Sequence, residues 1–280
     1  MRSPPTRSRP RSQTGVPRRD QHSRHWGSPG GELPGRAGPL IIGGRRAVTE
    51  ALRAGRVEGL VVATGTARTR GLRELIEESG RAGVPVRWVA RSEIDALGVV
   101  NHQGVAATVL HVAELDERAL ETTPLHSDAL VVVLDGIQDP QNFGACARAA
   151  EAAGAALLIT RTRRAAPLSS AVVRASAGAL LHLPTARVPN LPRAMECLKD
   201  RGFFFVGLDQ RAEVNIHEAL VPQGPLGLVV GAEERGISRL VRESCELLVA
   251  IPMRGRTASL NVASALAVGL FAFALRPDRG

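Results

Sequence analysis

Hydrophobic and polar positions follow a regular alternation along the second half of the chain. Five continuous apolar runs predict buried strands, at 129–134, 155–160, 203–208, 226–231 and 247–251. Four intervening stretches predict helices, at 143–153, 169–179, 191–201 and 261–275. Apolar strands that alternate with helices are typical of a mostly parallel sheet with helices on both faces. Ligands of such sheets bind in loops beyond the carboxyl ends of the strands, so we expect the functional residues there.

The residues before this region carry the pattern of a smaller α/β domain, at 40–113. Its predicted helices and strands are the helices 43–53 and 70–81 and the strands 60–63, 84–89 and 104–112. Ser92 is expected to cap a further short helix, because its hydroxyl can accept a hydrogen bond from a free backbone N–H. Residues 114–127 are charged and contain Pro124, which predicts a linker to a second domain at 128–280.

The first 39 residues differ from both domains in composition. They contain eight arginines against Asp20 and Glu32, with many Pro, Ser and Gly residues and few apolar ones. Such a segment cannot bury enough apolar surface to offset its chain entropy, which predicts a disordered tail. Two interpretations stay open at this point: an arm that tethers RNA without sequence preference, or a dispensable extension.

Charge and composition narrow the class of partner. The net charge is +9, and Lys199 is the only lysine, so arginine supplies almost all of the basic charge. Arginine suits phosphates and nucleobases, although a compositional bias of the genome would give the same pattern. Aromatic residues make up only 3%, with no tyrosine, which argues against a nucleic-acid surface built from stacked rings.

Cysteine usage and the lengths of the apolar runs bear on compartment. Three cysteines, each about 50 residues from the next and without a C-x-x-C pair, favour neither a disulfide framework nor a zinc site, so we expect a cytoplasmic protein without a metal. The longest apolar run, 262–275, has 14 residues, whereas a membrane span needs about 18. No membrane association is therefore expected.

Three loops after predicted strands are rich in Gly, Asn, Ser and charge. They are DGIQDPQNFGACAR at 135–148, GAEERG at 231–236 and IPMRGRTASLNV at 251–262. None contains G-x-G-x-x-G, G-x-x-x-x-G-K-[ST] or G-x-S-x-G. A dinucleotide-dependent oxidoreductase, a P-loop nucleotidase and an α/β-hydrolase are therefore disfavoured.

In their order and spacing, these loops resemble the motifs of the SpoU/TrmH family of RNA ribose 2′-O-methyltransferases, in the SPOUT superfamily. The resemblance covers about 125–275, and the N-H-Q-G run at 101–104 is similar to the L30e-like domain of the 23S rRNA guanosine branch. It implies a trefoil-knotted α/β domain, S-adenosylmethionine (AdoMet) as cofactor and a homodimer. It also implies that the 40–113 domain binds RNA.

The resemblance also implies roles for particular residues. The expected catalytic residues are Arg148, Asn142, Glu233, Ser259 and Asn261. The expected AdoMet-binding residues are Gly231, Ile251, Leu260, Met253 and Gly255.

The physical chemistry of these residues qualifies the roles. Arg148 lies away from the apolar face of its predicted helix, and a guanidinium stays protonated, so it suits stabilisation of a developing alkoxide better than proton abstraction. Asn142, Ser259 and Asn261 stand at helix starts and could simply be caps. Cys146 belongs to the apolar face and is expected in the core.

The expected function is therefore AdoMet-dependent methylation of a ribose 2′-hydroxyl, of a guanosine in 23S rRNA. A tRNA methyltransferase and an antibiotic-resistance rRNA methyltransferase of the same family stay open, because the loop motifs serve cofactor and ribose rather than base. A catalytically silent RNA-binding assembly factor is the alternative from another class. The complete set of expected catalytic residues argues against it.

Overall fold

The computed structural model describes residues 40–67, 69–109 and 114–274. These residues form two sheets, one of four strands and one of eight. The predicted disordered tail at 1–39 lies outside the described residues. None of the helices in the described part of the chain has the length and apolarity to cross a bilayer.

The four-stranded sheet has the order β1-β4-β2-β3. Its elements are β1 (Leu40–Gly43), α1 (Arg45–Arg53), β2 (Val57–Ala63), α2 (Arg70–Arg81), β3 (Val86–Val89), α3 (Arg91–Asp95) and β4 (Val105–Val109). β4 runs antiparallel to β1 and β2, and β3 runs parallel to β2. The predicted bounds of α2 are confirmed, since Leu72 and Leu75 form a buried helical stripe against the sheet.

The eight-stranded sheet has the order β10-β12-β9-β11-β6-β7-β8-β5, and all of its pairings are parallel. Its strands are β5 (Glu114–Leu115), β6 (Leu130–Asp135), β7 (Leu157–Arg161), β8 (Thr185–Val188), β9 (Phe204–Leu208), β10 (Val214–Asn215), β11 (Leu226–Gly231) and β12 (Leu247–Ala250). Its helices are α4 (Ala119–Thr122), α5 (Pro140–Ala152), α6 (Ser170–Ala175), α7 (Leu191–Lys199), α8 (Arg239–Glu243) and α9 (Val262–Ala274), with a 3-10 turn at Ala179–Leu181.

Continuous apolar strands are buried on both faces, as the pattern predicts. Along β6, Val131 and Val133 face a cluster that contains the α7 residue Leu198, whereas Val132 and Leu134 face a cluster shared with α5 and α9. Each strand side chain thus alternates between two helical layers. The mostly parallel sheet with helices on both faces is confirmed.

The strand order reverses beside β6, and this reversal positions the polar loops. The chain moves from β6 to β7 and β8 on one side, then returns so that β11 lies between β6 and β9. Asp135 at the end of β6 is in register with Gly231 at the end of β11. A reversal of this kind leaves a crevice at the carboxyl ends of the two strands, where ligands bind in open α/β sheets.

The segment around α6 packs against both sheets. Val173 and Leu181 are buried in the core cluster of the four-stranded sheet, although they belong to the chain after β7. A Cβ added to Gly178, which has a φ of +92°, would lie 2.6 Å from the Glu50 Cβ of α1. The apolar core of the smaller sheet therefore continues into the larger one.

The segment 114–127, predicted as a linker, connects the two sheets and contributes β5 and α4, and Arg201 donates hydrogen bonds to the carbonyls of Leu120 and Thr123. Two other local predictions are wrong. Ser92 lies inside α3, whose N-cap position is Ala90, so its predicted capping role is wrong. The single helix predicted at 169–179 is broken, because Ala177 and Gly178 take left-handed backbone angles.

Candidate active site

The three polar loops meet at the carboxyl edge of the larger sheet. The first follows β6, the second follows β11 and the third follows β12. The loop at 231–236 folds back on itself, since Gly236 N donates to the Ala232 carbonyl at 2.7 Å. A Cβ on Gly231 would overlap the Gly236 carbonyl group, so this close turn needs glycine there.

One hydrogen-bonded trio joins all three loops. Asn261 Nδ2 donates to Asn142 Oδ1 at 2.8 Å and to Glu233 Oε1 at 2.7 Å. Asn261 Oδ1 in turn accepts from the backbone N–H of Ala263 at 3.0 Å. Asn261 is thus both a cap of α9 and the bridge between two predicted catalytic residues, so the two interpretations of this residue are compatible.

The cap of α5 is Asp139 rather than Asn142. Its carboxylate accepts from the Asn142 backbone N–H at 2.8 Å, and Pro140 occupies the first turn. Asn142 therefore lies inside the helix, which leaves its side chain free for the trio.

The inner face of α5 is packed as predicted. Cys146 is fully buried, and burial raises the pKa of its thiol to about 12, with the charge of Glu233 adding to the effect. A thiol that stays protonated is a poor nucleophile, which agrees with a core role. Gly144 admits α6, because an added Cβ would overlap the Ala175 Cβ. The space beside Gly144 is therefore occupied by α6 of the protein itself.

A first cleft, of about 940 Å³ and open to solvent, lies on one side of the 231–236 loop. Its floor is apolar, formed by Leu208, Val230, Val249 and Val262. Four of the five predicted cofactor residues line it, together with the predicted catalytic Ser259: Gly231, Ile251, Met253 and Leu260. Gly255 is exposed and is not among its lining residues.

The polar end of the first cleft contains a buried carboxylate that the sequence analysis did not single out. Asp209 accepts from Arg211 N at 3.0 Å and pairs with Arg242 Nη2 at 2.6 Å. Burial alone would raise the pKa of Asp209. The bonds from Arg211 and the charge of Arg242 outweigh burial and hold that pKa below its usual value. This cleft therefore combines an apolar floor with a carboxylate that is paired with two arginines.

A second cleft, of about 1230 Å³, opens on the other side of the same loop. Asp135 is buried there and accepts from Arg161 Nε at 2.9 Å and from Ser238 N at 2.7 Å. Arg164 also lines this cleft, as do Asn142 and Glu233 of the trio. Asp135 and the two arginines were missed as site residues. The available signal was a charged residue at the end of an apolar strand, as Asp135 is in β6 and Arg161 is in β7; Arg164 had no such signal.

Arg148 is not brought to the trio within one chain. It lies six residues after Asn142, which is about 9 Å along the helix and on another face. Its side chain is exposed, and it is absent from the residues that line either cleft. Across the described part of the chain, no group of three or more His, Cys, Asp or Glu residues is arranged to hold a metal ion.

Two protein families match the chain in adjacent regions. Residues 129–271 match the SpoU rRNA Methylase family, and residues 41–112 match the family described as RNA 2′-O ribose methyltransferase substrate binding. The two matches correspond to the regions of the larger and the smaller sheet.

Named relatives and solved structures agree with these matches. The chain is 36% identical over 233 residues to YacO of Bacillus subtilis, named a TrmH family tRNA/rRNA methyltransferase, with 82% of this chain and 92% of that protein covered. It is 40% identical over 200 residues to the 23S rRNA (guanosine-2′-O-)-methyltransferase RlmB of Vibrio cholerae, with coverages of 70% and 80%. The AdoMet complex of the SpoU methyltransferase AviRb from Streptomyces viridochromogenes aligns with a TM-score of 0.69 at 28% identity, over 83% of this chain and 88% of that one.

Proposed function

Because this chain belongs to the SpoU rRNA methylase family, we propose that its AdoMet-dependent 2′-O-methylation acts on a guanosine of 23S rRNA. The target rests on the relative named a 23S rRNA (guanosine-2′-O-)-methyltransferase. The observation that carries the reaction is the Asn142–Asn261–Glu233 trio, because Asn142 lines the second cleft and Glu233 lines both. One cleft suits a cofactor, the other suits a nucleotide, and the trio lies where the two ligands would meet.

The groups that line the first cleft fit AdoMet. An adenine ring needs apolar walls and main-chain groups at its edge, which the segments around Gly231, Ile251 and Leu260 offer. Met253 adds an apolar side chain, and the Asp209 carboxylate can accept from an ammonium group. When bound, AdoMet supplies a methyl group on a positively charged sulfur. The proposed role of Gly255 has no support from the cleft lining.

The trio would orient the ribose. Asn142 Oδ1 accepts from Asn261, so the Asn142 amide NH₂ is the part left to donate to an RNA oxygen. Glu233 presents an exposed carboxylate to both clefts and can accept from a ribose hydroxyl. Ser259 in the first cleft can do the same from the cofactor side. These fixed groups would contribute to the reaction mainly by positioning the ribose.

Arg148 would stabilise the negative charge that develops on the ribose oxygen. A guanidinium does not give up its proton at neutral pH, so its effect is electrostatic. Since Arg148 is exposed and stands apart from the trio in one chain, we propose that a second copy brings it to the reacting atoms.

A homodimer is supported by the outer face of α9. Its inner residues Leu266, Leu270 and Phe273 are buried, yet Val268 and Phe271 on another face are 40% and 42% exposed. A helix that is apolar on two faces is typical of an interface. We expect Phe271→Asp to yield a monomer by light scattering, with wild-type protein dimeric at micromolar concentration. A monomeric wild-type protein would refute the dimer.

The smaller sheet would bind the RNA at its carboxyl edge. Arg45, Arg46, Arg70 and Arg91 lie at the starts of the helices that follow its strands. The 101–104 turn at the same edge is held by His102, whose Nε2 lies 2.8 Å from Asp95 Oδ1 and whose Nδ1 accepts from Gly104 N at 3.0 Å. The matched substrate-binding family supports this assignment.

The alternative target is tRNA, because the name of the Bacillus subtilis relative covers both RNAs. Mapping of 2′-O-methyl groups in rRNA and tRNA from cells with and without the gene separates the two. We expect one guanosine of 23S rRNA to lose its methyl group in cells without the gene. A cytoplasmic location is also proposed for the enzyme. Loss from tRNA alone would overturn the rRNA target, and no loss anywhere would overturn the reaction in vivo.

A further inference from the structure

We propose that the second cleft receives the base of the target nucleotide and that Arg161 and Arg164 recognise its edge. This inference rests on the proposed function, because it names the part of the RNA substrate that occupies a cleft beside the trio. Asn142 and Glu233 line this cleft, and Glu233 also lines the cofactor cleft on the far side of the 231–236 loop. A ribose held at the trio would therefore have the cofactor on one side and room for its base on the other.

Arg161 is held in a single orientation by a buried partner. Its Nε donates to Asp135 Oδ1 at 2.9 Å, and its Nη2 donates to Ser238 Oγ at 3.2 Å. Ser238 N closes the arrangement by donating to Asp135 Oδ2 at 2.7 Å. The carboxylate offsets the positive charge, so Arg161 is better suited to directional hydrogen bonds than to long-range attraction of phosphates.

Arg164 stands on a loop that is fixed to the segment after β6, which also lines the cleft. Its φ is +57°, a left-handed angle that residues other than glycine adopt infrequently. The backbone N–H of Ala166 donates to the Ile137 carbonyl at 2.9 Å, which ties this loop to the one after β6. An exposed arginine side chain is thus presented to the cleft from a constrained backbone.

The mixture of charges in this cleft fits guanine. Guanine offers two acceptors, O6 and N7, that match the forked donors of an arginine, and its N2 amino group donates. The cleft supplies Arg161 and Arg164 as donors and the exposed Glu234 as an acceptor. A cleft meant only for phosphate would not need a carboxylate in its wall.

The test compares two arginines of one loop. Arg163 is exposed like Arg164 but is not among the cleft-lining residues, so Arg163→Ala is a matched control with the same change in charge. The substrate is the RNA fragment that carries the mapped site, with guanosine or adenosine at the target position. We measure kcat/KM for both RNAs at several salt concentrations, and AdoMet affinity by calorimetry.

We expect Arg164→Ala to lower kcat/KM on the guanosine RNA about tenfold to a hundredfold and to reduce the guanosine preference by a similar factor. Arg164→Lys should not restore that preference, because a lysine lacks the fork, and Arg161→Lys should weaken it as well. Arg163→Ala should leave the preference unchanged. AdoMet affinity should match wild type in all four variants, which also shows that they are folded.

Two results would overturn the inference while leaving the proposed function intact. In the first, Arg164→Ala and Arg163→Ala behave alike. In the second, Arg164→Ala slows both RNAs equally and lowers the salt dependence, which is the signature of an arginine bound to a phosphate. If the wild-type enzyme binds AdoMet but methylates neither RNA, the proposed target fails, and the inference that rests on it fails too.

Discussion

The two clefts on either side of the 231–236 loop are built by different means. The cofactor cleft takes its shape from apolar strand ends and main chain, with Leu208, Val230 and Val249 in its floor. The second cleft is lined by charged side chains, among them Asp135 and Arg161, which are held by one another. Both clefts share the charged residues of the 231–236 loop, so we expect the difference in ligand selection to come from the Asp135–Arg161–Ser238 arrangement, which presents oriented hydrogen-bond donors in the second cleft only.

The largest expected effect tests whether methylation can be lost while the affinity for AdoMet is unchanged. Arg148→Ala should lower the single-turnover methylation rate about 10²–10³-fold, because one preorganised positive group is removed from the developing alkoxide. AdoMet affinity should stay near wild type, since Arg148 is not among the residues lining that cleft. Arg148→Lys should recover only part of the rate. Retention of more than about a third of the wild-type rate would make Arg148 an ordinary surface residue.

The next effect concerns Asn261, the residue that bridges Asn142 and Glu233. Asn261→Ala removes the donors that hold Asn142 and Glu233, so the methylation rate should fall about tenfold to a hundredfold through loss of alignment. Asn215→Ala is the matched control, because that asparagine, the last residue of β10, accepts from the backbone N–H of His217 and lies outside the trio. Equal rates for the two variants would show that the trio is only structural.

A smaller effect concerns Asp209 of the first cleft, whose contribution to stability depends on pH. Asp209 has a lowered pKa in the folded protein, so its contribution to stability is complete above the unfolded-state pKa of about 4. That contribution is lost as the pH falls through the folded-state value. Asp209→Asn should therefore lower Tm at neutral pH by a few degrees, about 2–4 °C for each kcal/mol. The difference from wild type should shrink in acid, as thermal scans from pH 7 to 3 would reveal. A constant difference would contradict this assignment.

The smallest effect concerns the basic tail at 1–39, which lies outside the described residues. Its removal should reduce the slope of log affinity for RNA against log salt by about 0.7 for each phosphate that the tail neutralises. The affinity for AdoMet should not change. An unchanged slope would favour the dispensable extension over the tethering arm.

The sequence predicts the larger sheet better than the smaller elements, for a physical reason. The buried strands β6 and β11 are apolar up to their last residues, Asp135 and Gly231, and this signal is visible without any partner. Strands of two residues, such as β5 and β10, have no such pattern, because their pairing with β8 and β12 determines them. The helix predicted at 169–179 fails because left-handed angles at Ala177 and Gly178 are imposed by packing.

The site shows the same division. The three polar loops could be found from their composition and their place after apolar strands, and the trio's members were all among the expected residues. The hydrogen bonds among them could not be predicted, because Asn261 lies 119 residues from Asn142 and meets it only through the sheet order. The Asp135–Arg161 pair, 26 residues apart, depends likewise on the adjacency of β6 and β7.

The shared core around α6 has a consequence for the spacing of features that a substrate RNA needs. Because Val173 and Leu181 are buried in the core of the smaller sheet, we expect the arginine-bearing edge of that sheet to keep a constant distance from the trio. A flexible tether would allow the enzyme to reach targets at many spacings. We therefore expect a substrate RNA of this enzyme to need its anchoring feature and its target nucleotide at one spacing.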